Sequence, residues 1–188
     1  DMVWDVYSVE AEALGGNMAW FDELYPALDN SAPIILTEKD LAAAKAPDPF
    51  KSGRMPWVLE VLQICKELSG YTPFIHYCSP INLAAQVMQF ENLIMAIVER
   101  PAFVHKLMDF LVEEVLAPYI NASFKVLPGN TIANGKDAVG SLPFITEEIL
   151  AEFSVPYLLK LRKLCGGHDG IRSDNWWGDN FAEDLDKY

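Results

Sequence analysis

Positive charge is scarce in this chain. Lys and Arg total 14 against 27 Asp and Glu in 188 residues, a formal net charge of −13. A surface that grips phosphates needs clustered Lys and Arg, so nucleic acid is not an expected partner. An anionic membrane surface is disfavoured for the same reason. Cysteine is scarce too. Cys65, Cys78 and Cys165 are odd in number and widely spaced, which is no disulfide framework and fits a reducing compartment, so cytoplasm is expected. Long apolar runs are lacking: "LIMAIV" falls well short of the roughly 20 residues that span a bilayer, and no membrane contact is expected. The start shows no signal-peptide pattern. No repeat of about 20 to 50 residues is visible, and Gly15-Gly16 closes a helix rather than forming a phosphate loop.

What is present is apolar material for a core: 51% of residues are hydrophobic and 12% aromatic, too much for disorder. Its arrangement alternates short strands with helices. "MVWDVYS" reads as a strand, followed by the helical or loop segment "VEAEALGG". "APIIL" reads as a second extended piece and "TEKDL" as a helical turn before a Pro/Gly-rich loop. "WVLEVLQICKELSG" is an amphipathic helix with Val58, Leu62 and Cys65 on one face and Gly70 at its cap. The strand "YTPFIHYC" stops at Pro80 and the helix "INLAAQVMQF" follows; "ENLIMAIVER" is a helix ended by Pro101. In "AFVHKLMDFLVEEVLAPYINASFKVL" Phe103, Leu107, Phe110, Leu111 and Val115 recur at helical spacing, a core stripe. "NTIANGKD" is a polar strand. "TEEILAEFSVPYLLKLRKLCGG" is helical, with Thr146 at its cap and Glu147 and Glu148 in the first turn. "GIRSDNWWGD" is a further strand and "FAEDLDKY" a final helix. Four or five strands alternating with helices fit an α/β fold, either an open parallel sheet or part of a (β/α)8 barrel, because a whole barrel takes about 250 residues.

Several stretches together resemble the uroporphyrinogen decarboxylase superfamily, which holds haem-pathway decarboxylases and corrinoid-dependent methyltransferases. They are "VYSVEAEALGG", "PDPFKSGRMPWVLEVLQICKE", "SPINLAAQVMQFENLIMAIVERPAFVHKLMDFLVEEV" and "ANGKDAVGSLPFITEEILAEFSVPYLLKLRK", in the family's order. The resemblance implies a TIM barrel of (β/α)8 type, here an incomplete portion without its N- and C-terminal parts, as a single domain. The decarboxylases carry a substrate-contacting tyrosine six residues after the proline of "SPINLAAQV", where this chain has Gln86. They follow an acidic residue with serine where it reads Asp137-Ala138. "SVEAEALG" and "PDPFKSGRMP" are more similar to the methyltransferase branch. That branch holds zinc through a His-x-Cys pair, on the strand that here reads "GIRSDNWWGD", plus a later cysteine. That strand carries no such pair here, and the later cysteine would lie beyond Tyr188.

The candidate residues follow from strand geometry. His76 and Cys78, two apart on one strand, share a face, and imidazole and thiolate are zinc's preferred donors. Two donors do not close a site, so the pair reads first as an active-site wall and only second as half a zinc centre. Asp137, at a strand end, could take a proton or hold a cationic group; Asn134, three residues earlier, falls on the other face. Asp174 and Trp176 share a face in "SDNWWGD" and could line a pocket for a flat or methylated ligand. Gln86, in its family position, is a substrate contact. His168 beside Cys165 reads as a solvated pair, His105 as structural, Cys65 as core, and Arg54 as a loop anchor paired with a carboxylate. The reading is a methyltransferase-like enzyme that moves a methyl group between a small methylated compound and a corrinoid on a partner protein, with Asp137 and His76 catalytic. The alternatives are porphyrinogen decarboxylation and a non-catalytic barrel remnant. Open strand edges lead us to expect either further residues of the barrel, or a homodimer or second chain completing it.

Overall fold

The computed structural model describes residues 8–20, 22, 27–137 and 145–175. Residues 2–7 of the first expected strand, Trp176, Trp177 and the expected last helix lie outside them. In chain order the elements are α1 (Val9–Ala13), β1 (Met18–Ala19), β2 (Ala27–Leu28), α2 (Glu38–Ala43), α3 (Met55–Ser69), β3 (Ile75–Cys78), α4 (Pro80–Met88) and α5 (Phe90–Glu99). There follow α6 (Pro101–Phe110), a π-helical stretch (Leu111–Leu116), α7 (Ala117–Val126), β4 (Ala133–Asp137), α8 (Glu147–Phe153), α9 (Val155–Leu164) and β5 (Ile171–Asn175).

Local chemistry explains most boundaries. Thr37 opens α2 with a reciprocal capping box to Asp40, and Ser79 and Thr146 cap α4 and α8 by accepting from Asn82 N and Ile149 N. Each offers an oxygen to a helix N–H that has no partner within the helix. Pro80 ends β3 and also suits the first helical position, where no N–H is needed. Gly70 closes α3 in the left-handed conformation at φ 72°, which costs glycine little. Residues 101–126 continue as helix, as the apolar stripe predicts, but widen just before Pro118. That ring cannot donate and crowds the carbonyl four residues back, so the turn relaxes to longer bonds, with Ala117 N donating to Val112 O.

Two local expectations are corrected. "APIIL" is not a strand: Ile34 N and Ile35 N both donate to Val87 O near the end of α4, so a helix carbonyl takes the place of a sheet neighbour. Cys65 is half-buried rather than core, because the buried stripe of α3 stops at Leu62 and Ile64 and Leu68 beyond it are exposed. The short antiparallel pair β1–β2 was not visible in the pattern.

Among the described residues β3, β4 and β5 form a parallel sheet in chain order. Helices join the strands, so the chain advances one strand at a time in one direction. A barrel winds this way, whereas an open doubly wound sheet reverses at a switch point. The two faces differ. Ile75, Tyr77, Ala133 and Ile171 are at most 1% exposed and meet the helical layer, where α7 contacts β3, α4 contacts β4 and α9 contacts β5. On the other face His76 and Asn134 are half-buried and Arg172 is exposed, in one register row. In a barrel, side chains on the first of these faces point outward to the helices, and those on the opposite face point into the lumen.

No single described helix is long and apolar enough to cross a membrane. The apolar α4–α5 pair is bent by 104° at Gln89, whose φ of 69° is a strained conformation for a side-chain-bearing residue. Gln89 is held there by its side-chain amide, which donates to Asn30 O and accepts from Asn92 Nδ2.

The Tyr77 ring crosses β4 over Gly135, and its hydroxyl donates to Arg172 O at 2.7 Å. A Cβ on Gly135 would sit 2.6 Å from Tyr77 Cζ. Gly135→Ala should therefore cost about 1–3 kcal/mol through overpacking, whereas Tyr77→Phe should cost about 1 kcal/mol for the lost hydrogen bond. Urea unfolding of both variants checks the order, and an unchanged Gly135→Ala midpoint would contradict the packing.

Candidate active site

In a barrel the chemistry gathers at the C-terminal ends of the strands, and three of those ends are described: Cys78, Asp137 and Asn175. Successive N–H groups of a strand point to opposite edges. Ser79 N donates to Lys136 O of β4, so the preceding N–H, that of Cys78, points away from β4. There it meets Glu10 from α1, whose Oε1 accepts it at 2.9 Å. Glu10 thus stands at the top of the β3 edge where a neighbouring strand would supply a carbonyl.

Glu10 is fully buried, and its second oxygen, Oε2, is buried without a hydrogen-bond partner among the described residues. Burial pushes its carboxyl up to about 7, against the pull of the N–H groups of Cys78 and of Glu10 itself. The Cys78 thiol is pushed well up, by burial first, then by the charges of Glu10 and Asp137, while the Asn82 amide opposes the rise. That amide lies 3.0 Å from Cys78 Sγ. The Tyr119 phenol of α7, also fully buried, is raised by burial and by Glu10, and its hydroxyl finds no hydrogen-bond partner among the described residues. Asp137 is 7% exposed. The rim at β3 and β4 is therefore a set of acids and hydroxyls in low dielectric, chemically suited to hold protons.

The other candidates separate from this group. Strand alternation puts Asp137 on the face of Tyr77 and Gly135, opposite His76 and Asn134, so His76 and Asp137 do not share one wall. The expectation that Asn134 and Asp137 face apart holds. Gln86 is half-buried in α4. Asp174 lies in register with Lys136 in the row of Cys78, and Trp176 falls outside the described residues. His105 is structural, bonded to Tyr157 at 2.7 Å and Glu152 at 3.2 Å and stacked on Phe153. Arg54 anchors its loop on Glu12 and lies 5.9 Å from the Trp20 ring centre.

Zinc does not fit the donors described. Among the described residues no three His, Cys, Asp or Glu gather to hold a metal, so His76 and Cys78 meet no third donor there. Sequence reasoning missed Glu10. Its trace was the run "VEAEA" within the stretch similar to the methyltransferase branch, where alanines flank the glutamates, a pattern equally at home on a solvated helix.

Compared with known proteins, the chain matches the sequence profile of the family described as uroporphyrinogen decarboxylase (URO-D) over residues 2–171. No curated protein matches it. Among solved structures it is similar to a methyltransferase from Methanosarcina mazei, with a TM-score of 0.70 and 22% identity. The likeness covers 85% of this chain and 46% of that one, so the chain spans about half the length of that protein.

A carboxyl whose pKa rises on folding holds its proton in the native state while the unfolded chain releases it. Its contribution is complete below the ordinary value of 4.5 and is lost as the pH rises towards about 7. The shift corresponds to about 3 kcal/mol. Urea unfolding across this range should show stability falling with rising pH in the wild type and a flatter profile in Glu10→Gln; parallel profiles would refute the assignment.

Proposed function

Because the chain belongs to the uroporphyrinogen decarboxylase family, we propose that it is the barrel portion of a methyltransferase-type enzyme. It moves a methyl group between a small methylated compound and a corrinoid carried by a partner protein. The observation that carries this reading is the fold likeness, over 85% of the chain, to a protein named a methyltransferase. The sequence supports it where it departs from the decarboxylases, at Gln86 and at Asp137-Ala138. Porphyrinogen decarboxylation is the alternative reading, favoured by the description of the matching family and disfavoured at those two positions.

In this reading the corrinoid supplies the carbon–cobalt chemistry when bound, and the chain supplies shape and protons. Glu10 and Asp137 hold or release a proton at the rim, and the Cys78 turn forms the wall beside them. His76 lines the lumen one strand layer below the rim, at about 7 Å for two residues. Gln86, Asp174 and Trp176 contact the substrate. The unshared edges of β3 and β5 among the described residues are closed by the rest of the barrel or by another chain, in the cytoplasm.

The test uses the natural full-length protein with methylcobalamin, a range of thiol and amine acceptors, and visible absorption as readout. Demethylation of the cobalamin is expected, slowed about 100-fold or more by Asp137→Asn with folding retained. No spectral change with any acceptor, together with turnover of a porphyrinogen, would replace this reading with the alternative.

A further inference from the structure

Glu10 lies 68 positions from Cys78 in sequence yet accepts its backbone N–H. Its side chain therefore touches the corner where β3 turns into α4. The same corner carries the Ser79 cap of α4, the Ser79 N to Lys136 O link that ends the β3–β4 ladder, and the Asn82 amide on Cys78 Sγ. One oxygen of the carboxyl is thus committed to shaping the corner, and the other is buried with no hydrogen-bond partner among the described residues.

The surroundings decide which form the carboxyl prefers. The groups that feel its charge are the Cys78 thiol on β3 and the Tyr119 phenol on α7, while Asp137 on β4 acts on the same thiol. No lysine or arginine is among the influences on Glu10. Arg54, ahead of α3, is engaged by Glu12, the next but one residue of α1. Helix α4, which packs on α1, has no titratable side chain. Among the described residues a carboxylate here would face other acids and no cation, while a neutral carboxyl keeps its N–H bond through Oε1 and carries the proton on Oε2.

We propose that Glu10 is the positioning residue of this rim: it fixes the β3–α4 corner through Cys78 N–H and couples the corner's geometry to a proton held on its own Oε2. This rests on the reading that the rim is the active end, and it adds how that end is kept in shape. Gaining or losing the proton changes no covalent bond other than O–H, but it turns a neutral hydrogen bond to Cys78 into a charge-assisted one while placing an unpaired charge in the core.

The experiment follows the Cys78 amide and the Glu10 carboxyl carbon by NMR in the natural full-length protein as pH crosses neutrality. In the wild type both signals should move with one shared midpoint near 7. Glu10→Gln, which keeps an acceptor oxygen of the same shape, should leave the Cys78 amide protected from exchange and flat with pH. Glu10→Ala should lower that protection about tenfold, the value of one hydrogen bond. A Cys78 amide that is flat in the wild type while the Glu10 carbon titrates, or an inflection that survives Glu10→Gln, overturns the proposal. Neither readout involves methyl transfer, so failure of the enzymatic reading and failure of this one are seen separately.

Discussion

A carboxyl group removed from water must find a hydrogen bond, a counter-charge or a proton. At Glu10 the hydrogen bond comes from Cys78 N at 2.9 Å, and no cation contributes among the described residues. The rest of the rim depends on this one contact. It takes the N–H that β3 turns away from β4 and ties α1 to the sheet. Around it the thiol of Cys78 and the phenol of Tyr119 are pushed up, by burial first and by the charge of Glu10 after it. An apolar residue at position 10 would leave that N–H in the core without a partner.

The sheet below the rim is organised by size and polarity. Small residues on β4, Ala133 and Gly135, make room on the helix-facing side for the Tyr77 ring, which reaches across to Arg172 O. The opposite face keeps polar side chains in register: His76, Asn134 and Arg172. This asymmetry fits a sheet that curves round a lumen and not one covered equally on both sides. The helices around it hold their own positions through local devices, such as the Thr37–Asp40 box, the Gly70 cap and the widened turn before Pro118.

Much of the fold was legible in the sequence because its rules are short-range. The 3.6-residue stripe of Phe103, Leu107 and Leu111 foretold the long central helix, and all three are buried. "FIHYC", "ANGKD" and the start of "GIRSDN" foretold β3, β4 and β5. "APIIL" was misread because an apolar run reports burial without saying what satisfies its N–H groups, and here Val87 O does so. The site was less legible. Asp137 was found as a buried strand-end acid, but its separation from His76 depends on strand parity near the end of β4, which the spacing between two different strands does not contain.

The sequence by itself determined where helices start and stop, which stripes are apolar, that strands and helices alternate, and that the chain is strongly acidic. All of these rest on residues within a turn or two of one another, or on composition alone. Only the tertiary structure decided that Glu10, and not its neighbour Glu12, lies in the core. The two differ by two positions on one short helix, and what sets them apart is a partner 68 residues away for one and Arg54 near the surface for the other. Desolvation depends on everything that packs around a group, so no local pattern could fix it.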